Sequence, residues 1–146
     1  MPLSVKDGGT WRSVKNVYVN DAGTWRTVQK SYANDAGTWR LGHQKFAATV
    51  SNANPTGYSI SGSINTSSAT VVTAEGGWPG YSYSWVLLSG GGGFNPTANS
   101  PSSASTTFNI QVGGVQNTVT ATFRCTITDT IGQSVTVDAF PEWDST

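Results

Sequence analysis

The side chains that could carry covalent chemistry are few. His43 is the only histidine and Cys125 the only cysteine, and 82 positions separate them. A thiol–imidazole pair needs both groups exposed in one cleft. Cys125 instead falls on the inward face of an alternating strand, the place of a small apolar core residue rather than a nucleophile. Glycoside hydrolysis needs two carboxylates facing each other across a cleft. Glu75 falls near the end of a strand and Glu142 and Asp144 in the C-terminal tail, so nothing in the sequence brings them together. Asp7, Asp21 and Asp35 could bind calcium, but each stands alone in a turn, where capping the backbone is the ordinary task. Gly90–Gly93 lacks the Lys-Ser or Lys-Thr that a phosphate loop requires. The expectation is a protein that is not an enzyme and holds neither metal nor cofactor.

The residues with a regular spacing are aromatic. Thr10-Trp11-Arg12, Thr24-Trp25-Arg26 and Thr38-Trp39-Arg40 lie 14 positions apart, inside the units VKDGGTWRSVKNVY, VNDAGTWRTVQKSY and ANDAGTWRLGHQKF. A fixed period marks repeated supersecondary units. In each unit a Gly-containing turn, such as Asn20-Asp21-Ala22-Gly23, separates two arms that read as a hairpin. The alternation of faces slips near Lys15-Asn16, which predicts a second break and two short strands per unit. A 14-residue unit cannot bury its own aromatics, so Trp11, Trp25 and Trp39, with Tyr18 and Tyr32, must pack on neighbouring repeats, on another subunit or on a partner. One reading makes them the core of a small meander; the other makes them platforms for a ligand.

From residue 47 the period vanishes and short strands follow. Val119, Ala121, Phe123, Cys125 and Ile127 alternate with polar residues, which predicts a half-buried strand over 118–128. Further strands are expected over 58–64, 69–74, 81–88, 107–112 and 134–140. This pattern predicts an antiparallel β-sandwich over 47–146 behind a repeat segment over 1–46, an all-β protein. In the sandwich Trp85, Phe123, Cys125 and Ile127 are the expected core, and Trp78 and Phe94, on loops, are the candidate recognition residues.

The net charge is zero, yet its distribution is uneven. Residues 1–46 carry seven Lys and Arg against three Asp, a balance of +4; residues 47–146 carry one Arg against five acids, a balance of −4. The basic residues follow the repeat and each set includes an Asp, so a surface for an acidic protein partner is expected rather than nucleic-acid binding. No stretch of about 18 apolar residues is present, and no membrane insertion is expected. The N-terminus lacks the layout of a secretory signal, so the chain is expected to start at its own Met in the compartment where it is made. One cysteine allows no internal disulfide.

Four resemblances arise from these residues. VKDGGTW is similar to the hairpin units of choline-binding and glucan-binding cell-wall repeats, where aromatics form cages. Here an Arg follows each Trp, which works against a cage for a cation. Trp85 followed by Phe123-Arg124-Cys125-Thr126-Ile127-Thr128-Asp129 resembles the strand C tryptophan and strand F cysteine of immunoglobulin-like domains. Phe123 stands where the corner tyrosine would be, and Ala74 falls near the place of the second cysteine. GGWPGYSYSW and RCTITD are also similar to immunoglobulin-like modules of tailed-phage virion proteins, and the GTWR repeats resemble the glycine-tryptophan repeats of phage tail proteins. Together these imply a non-enzymatic virion protein, assembled in the bacterial cytoplasm and placed on the tail or displayed on the capsid. They also imply docking to other virion proteins through Trp11, Arg12, Trp25, Arg26, Trp39 and Arg40, and weak adhesion to a host glycan through the sandwich. Repeats that cannot bury themselves favour a homo-oligomer, a trimer among the options. A carbohydrate-binding module that uses the repeat tryptophans is the alternative.

Overall fold

The structure, a computed structural model, describes residues 3–58, 62–112 and 118–144. Every regular element among them is a strand. The chain forms two compact units, one of Met1–Ala47, Ala74–Tyr81 and Thr128–Ser134, the other of Ala48–Thr73, Ser82–Ile127 and Val135–Thr146.

The repeat segment forms three hairpins in sequence. β1 (Ser4–Asp7) pairs with β2 (Thr10–Ser13), β3 (Tyr18–Asp21) with β4 (Thr24–Thr27), and β5 (Lys30–Asp35) with β6 (Thr38–Gln44). Each is a separate two-stranded sheet. The expected second break is present in the first two units, between Ser13 and Tyr18 and between Thr27 and Lys30. In the third, β6 runs on to Gln44 and the irregularity is a bulge, where the register shifts between Ser31 and Tyr32. The turns have two central residues at positive φ: Gly8 and Gly9, Ala22 and Gly23, Ala36 and Gly37. Two such residues make the turn whose twist matches that of the flanking strands. Left-handed backbone falls on Ala22 and Ala36, where a Cβ is costly. In both units the preceding Asn offsets this: the Oδ1 of Asn20 and of Asn34 accept the N–H of Gly23 and Gly37 at 2.9 Å. The first unit has Lys6 in the Asn position and Gly8 in place of the Ala, so it needs no such cap.

The second unit is built on β7 (Ala47–Ser51), β8 (Thr56–Tyr58), β9 (Ile64–Thr66), β10 (Thr70–Glu75), β11 (Ser82–Gly90), β12 (Thr97–Ala98), β13 (Ser105–Thr106), β14 (Phe108–Gln111), β15 (Val119–Thr128), β16 (Ser134–Ala139) and β17 (Glu142–Asp144). β9 and β10 are two halves of one run, and they pair with β14 and β13, two halves of another. At the break Ser67 keeps the ladder closed, donating its N–H to Phe108 O (2.8 Å) and accepting the N–H of Phe108 on its hydroxyl (3.0 Å). β7 flanks this pair on one side and β12 on the other. The second layer runs β11–β15–β17–β8, with β16 also on β15. β8 joins β17 in parallel. The chain thus leaves β7 in one sheet and enters β8 in the other, through Asn52 at a φ of 52°. The Asn52 amide holds that bend by donating to Ser68 Oγ and Ala69 O.

The alternation that marked 118–128 holds: Val119, Ala121, Phe123, Cys125 and Ile127 are buried, while the residues between them face outward. Phe108 meets the edge of Trp85 at 5.5 Å and lies 4.4 Å from Phe123, so three strands share one aromatic cluster. The single strand expected over 58–64 is instead two, β8 and β9, and residues 59–61 lie outside the described ones. The C-terminal tail is also corrected: Glu142–Asp144 is a strand, and Trp143 between two outward acids is fully buried.

These placements predict a sharp contrast in denaturant unfolding. Phe123→Ala and Trp143→Ala should each cost about 3–5 kcal/mol, as truncated core aromatics do. Trp25→Ala should leave the unfolding of the second unit within about 0.5 kcal/mol of wild type.

Candidate functional site

Strand register decides what the hairpins present. Residues directly opposite in an antiparallel pair point to the same side. Trp11 faces Lys6, Trp25 faces Asn20 and Trp39 faces Asn34, while Tyr18 faces Thr27 and Tyr32 faces Leu41. Each hairpin therefore has an aromatic side with its Trp and a second side with Val5 and Asp7, or Val19 and Asp21, opposite the Thr and Arg of the repeat. Trp11, Trp25 and Trp39 are 70%, 69% and 69% exposed, and Tyr18 and Tyr32 are 54% and 55% exposed. The reading of these aromatics as the core of a meander is thus overturned. A two-stranded ribbon has no second layer against which to bury them, and no neighbouring repeat supplies one.

The arginines of the repeat are held locally. Arg12 pairs with Asp7 at 3.3 Å and Arg26 with Asp21 at 3.1 Å, within their own hairpins. The turn aspartates were expected to cap backbone; Asp7 and Asp21 instead hold arginines, and the asparagines do the capping. All four charged groups are well exposed, so each pair is worth no more than about 1 kcal/mol. Their effect is to cancel charge on that side. The side chains of Arg40 and Asp35 lie outside the described residues.

The first unit also contains a clasp that holds loop 74–81. Asp129 is buried and accepts the N–H of Trp78 (3.1 Å), Ile131 (3.1 Å) and Gln133 (2.8 Å), together with the Gln133 side-chain amide (3.0 Å). Burial works to raise its pKa, but these donors outweigh it and hold the carboxyl below its ordinary value. On the same loop Gly77 donates to Gln44 O (3.1 Å), and Glu75 accepts from the Gln44 amide (3.1 Å). Gly76 and Gly77 are at positive φ, and a Cβ on Gly76 would lie 2.6 Å from Gln44 O, so the end of β6 can approach only a glycine. Phe46 stacks on Tyr81 at 5.6 Å.

Trp78 is half-buried in this clasp and lines a cavity of about 10 Å³ with His43, Lys15 and Gln133. His43 itself is buried. Phe94 is half-buried in the other unit, beside a groove of about 240 Å³ lined by Ile64, Asn109 and Gln111. The two loop aromatics therefore belong to different units. Trp85, Phe123, Cys125 and Ile127 occupy the core; Cys125 is a free thiol, and burial pushes its pKa up. Arg124 and Asp138 form a two-pronged ion pair across β15 and β16, both contacts 2.8 Å. Its hydrogen bonds hold the Asp138 carboxyl below the ordinary value. Among the described residues no three His, Cys, Asp or Glu come together as metal ligands.

Sequence reasoning missed Asp129, the glycine approach at Gly76 and the burial of Trp143. Trp143 was detectable, since Glu-Trp-Asp continues the polar–apolar alternation. Comparison with protein-family models, with curated proteins and with solved structures finds no match to the chain.

The two depressed carboxyls fix the sign of a pH effect. A carboxylate whose folded pKa is lowered stabilises the fold above its unfolded pKa, and that contribution is lost as pH falls through the folded value. Stability should therefore fall as pH drops from about 5 toward 2. Asp129→Asn should flatten that fall and cost about 2–3 kcal/mol at neutral pH, since donors aimed at a carboxylate lose it. Denaturant midpoints measured across the acid range check both.

Proposed function

We propose that the chain is a non-enzymatic structural or accessory protein of a tailed-phage virion. In this reading the hairpin repeats attach it and a C-terminal immunoglobulin-like domain is presented for adhesion to the host surface. The observation that carries the attachment half is the equal exposure of Trp11, Trp25 and Trp39 on three hairpins of one design. A large apolar side chain left in water three times over, at one register position, is a contact surface rather than scattered exposure. Aromatic anchors of this kind dominate the energetics of protein interfaces.

The immunoglobulin-like half draws support from strand order. The neighbours β7–β10–β13 and β9–β14–β12, in two short sheets broken at Ser67, and β11–β15–β16/β17 in a third, which also takes in β8, resemble the strand neighbours of that domain class. The Trp85 and Cys125 positions agree with it, on neighbouring strands β11 and β15. Placement on a virion, whether tail fibre, tail tip or capsid decoration, rests on the resemblance of the repeats and of GGWPGYSYSW. Adhesion would fall to loop residues such as Phe94, which lies beside a groove with amide side chains.

The same exposure favours a second reading, a cell-wall or carbohydrate-binding module in which Trp11, Trp25 and Trp39 are sugar platforms. Trp25→Ala separates the two. The attachment reading predicts a folded protein whose incorporation into particles falls by at least about tenfold, the effect of removing an anchor worth more than 1.4 kcal/mol. Unchanged incorporation, with binding to bacterial cell-wall glycan lost, would instead establish the module.

A further inference from the structure

We infer that each hairpin docks by itself on an acidic protein, one that sets carboxylates beside apolar side chains, and that contact is made on the aromatic side of the hairpin. The inference rests on the attachment reading and names the kind of partner that attachment meets. Three features point to it.

The first is the place of the unpaired cations. Lys6 stands directly opposite Trp11 on the first hairpin. Lys30 lies two positions before Tyr32 on β5. The register shift leaves Gly42 as the extra residue of β6, so β5 keeps its alternation and Lys30 shares the side of Tyr32. Both lysines are exposed, and neither forms an ion pair with a described residue. No acid stands on an aromatic side. The opposite sides of the first two hairpins are electrically closed, since Arg12 is held by Asp7 and Arg26 by Asp21. A carboxylate that approaches these strands therefore meets its counter-charge beside the aromatic residues.

The second is the mixture of groups at each site. A tryptophan about 70% exposed has at most one cation near it, and on the second hairpin Asn20 takes the place of the lysine. A nucleic-acid backbone is held by several cations at once, more than any hairpin offers here. An uncharged glycan gains no Coulomb attraction from either lysine. Two like sides of this chain would bring lysine toward lysine with no acid between them, which costs affinity. A protein surface that sets carboxylates beside apolar side chains fits the first and third hairpins through both groups, and the second through its apolar part.

The third is separateness. Each hairpin is a two-stranded sheet of its own, and no strand of one pairs with a strand of the next. One hairpin presents one or two aromatic side chains of roughly 200 Å² each, well short of the roughly 800 Å² each partner gives to a standard interface. Contacts of this size are weak singly. Joined by the short segments 14–17 and 28–29, they strengthen one another through effective concentration, with no shared surface required. The acceptor on the partner is then a repeated one, as on a protein present in several copies.

Fluorescence anisotropy of a dye-labelled glutamate–tyrosine copolymer, titrated with the full chain, tests this. A lysine–tyrosine copolymer and a thymidine oligonucleotide are the comparisons. The glutamate–tyrosine copolymer should bind at low salt and loosen about tenfold in about 0.5 M salt, and the other two should bind at least about tenfold more weakly. Lys6→Gln/Lys30→Gln should weaken binding about threefold or more. Lys15→Gln/Lys45→Gln removes the same charge outside the hairpin strands and should stay within about twofold of wild type. Trp11→Ala, Trp25→Ala and Trp39→Ala should each weaken binding, and the triple variant should lose it while keeping the near-ultraviolet signal of buried Trp85 and Trp143. A glutamate–tyrosine copolymer that does not bind overturns the inference, as does a comparison polymer that binds as tightly. Equal losses from the two lysine pairs overturn it too, and so does a folded triple variant that still binds. A single tryptophan that carries all the binding contradicts separate sites. Failure of the attachment reading looks different: a chain that binds the copolymer in every expected way and yet does not enter particles.

Discussion

Two strands cannot enclose a side chain, and the repeat segment is made of nothing but two-stranded sheets. From that constraint follow the exposed tryptophans and the dependence of the segment on something outside each hairpin. The local energetics are all small. A turn held by one asparagine amide, an exposed ion pair and a two-residue bend at positive φ each contribute on the order of 1 kcal/mol. Hairpins so built keep their shape and register, yet they leave most of their apolar surface to be used elsewhere.

The second unit solves the opposite problem. Its strands pack in layers, with Phe108 against Trp85 and Phe123, so Phe108, Phe123, Trp85 and Trp143 are buried where the hairpin tryptophans are not. The same residue type therefore has two fates in one chain, decided by the number of layers around it. Where the sandwich sheets are interrupted, small polar side chains seal the break. The Ser67 hydroxyl and Asn52 amide do so at neighbouring points of the chain.

The all-β class was readable because period-2 alternation in residues 118–128 and turn residues at regular intervals leave no helical alternative. The hairpins were readable because the repeat displays its turn three times. Burial of the repeat aromatics was not readable, since a sequence period does not reveal whether adjacent units stack or stand apart. The asparagines and aspartates of the turn exchanged roles for a local reason. Asn20 lies where its amide oxygen reaches the Gly23 N–H, whereas Asp21, one position on, points to the side of Arg26. Asp129 was hidden because its donors come from loop backbone, which has no residue signature. Gly76 was hidden because the strand it must admit lies far away in sequence.

The central claim is that the three hairpins carry their tryptophans at one register position and present them outward, while Trp85 and Trp143 are internal. Fluorine NMR of the protein labelled with 5-fluorotryptophan, recorded in light and heavy water at low concentration, tests this most directly. The account predicts large solvent-isotope shifts for Trp11, Trp25 and Trp39, of similar size, and none for Trp85 and Trp143. Protected and mutually dissimilar signals from the three repeat tryptophans in the dilute protein would contradict it.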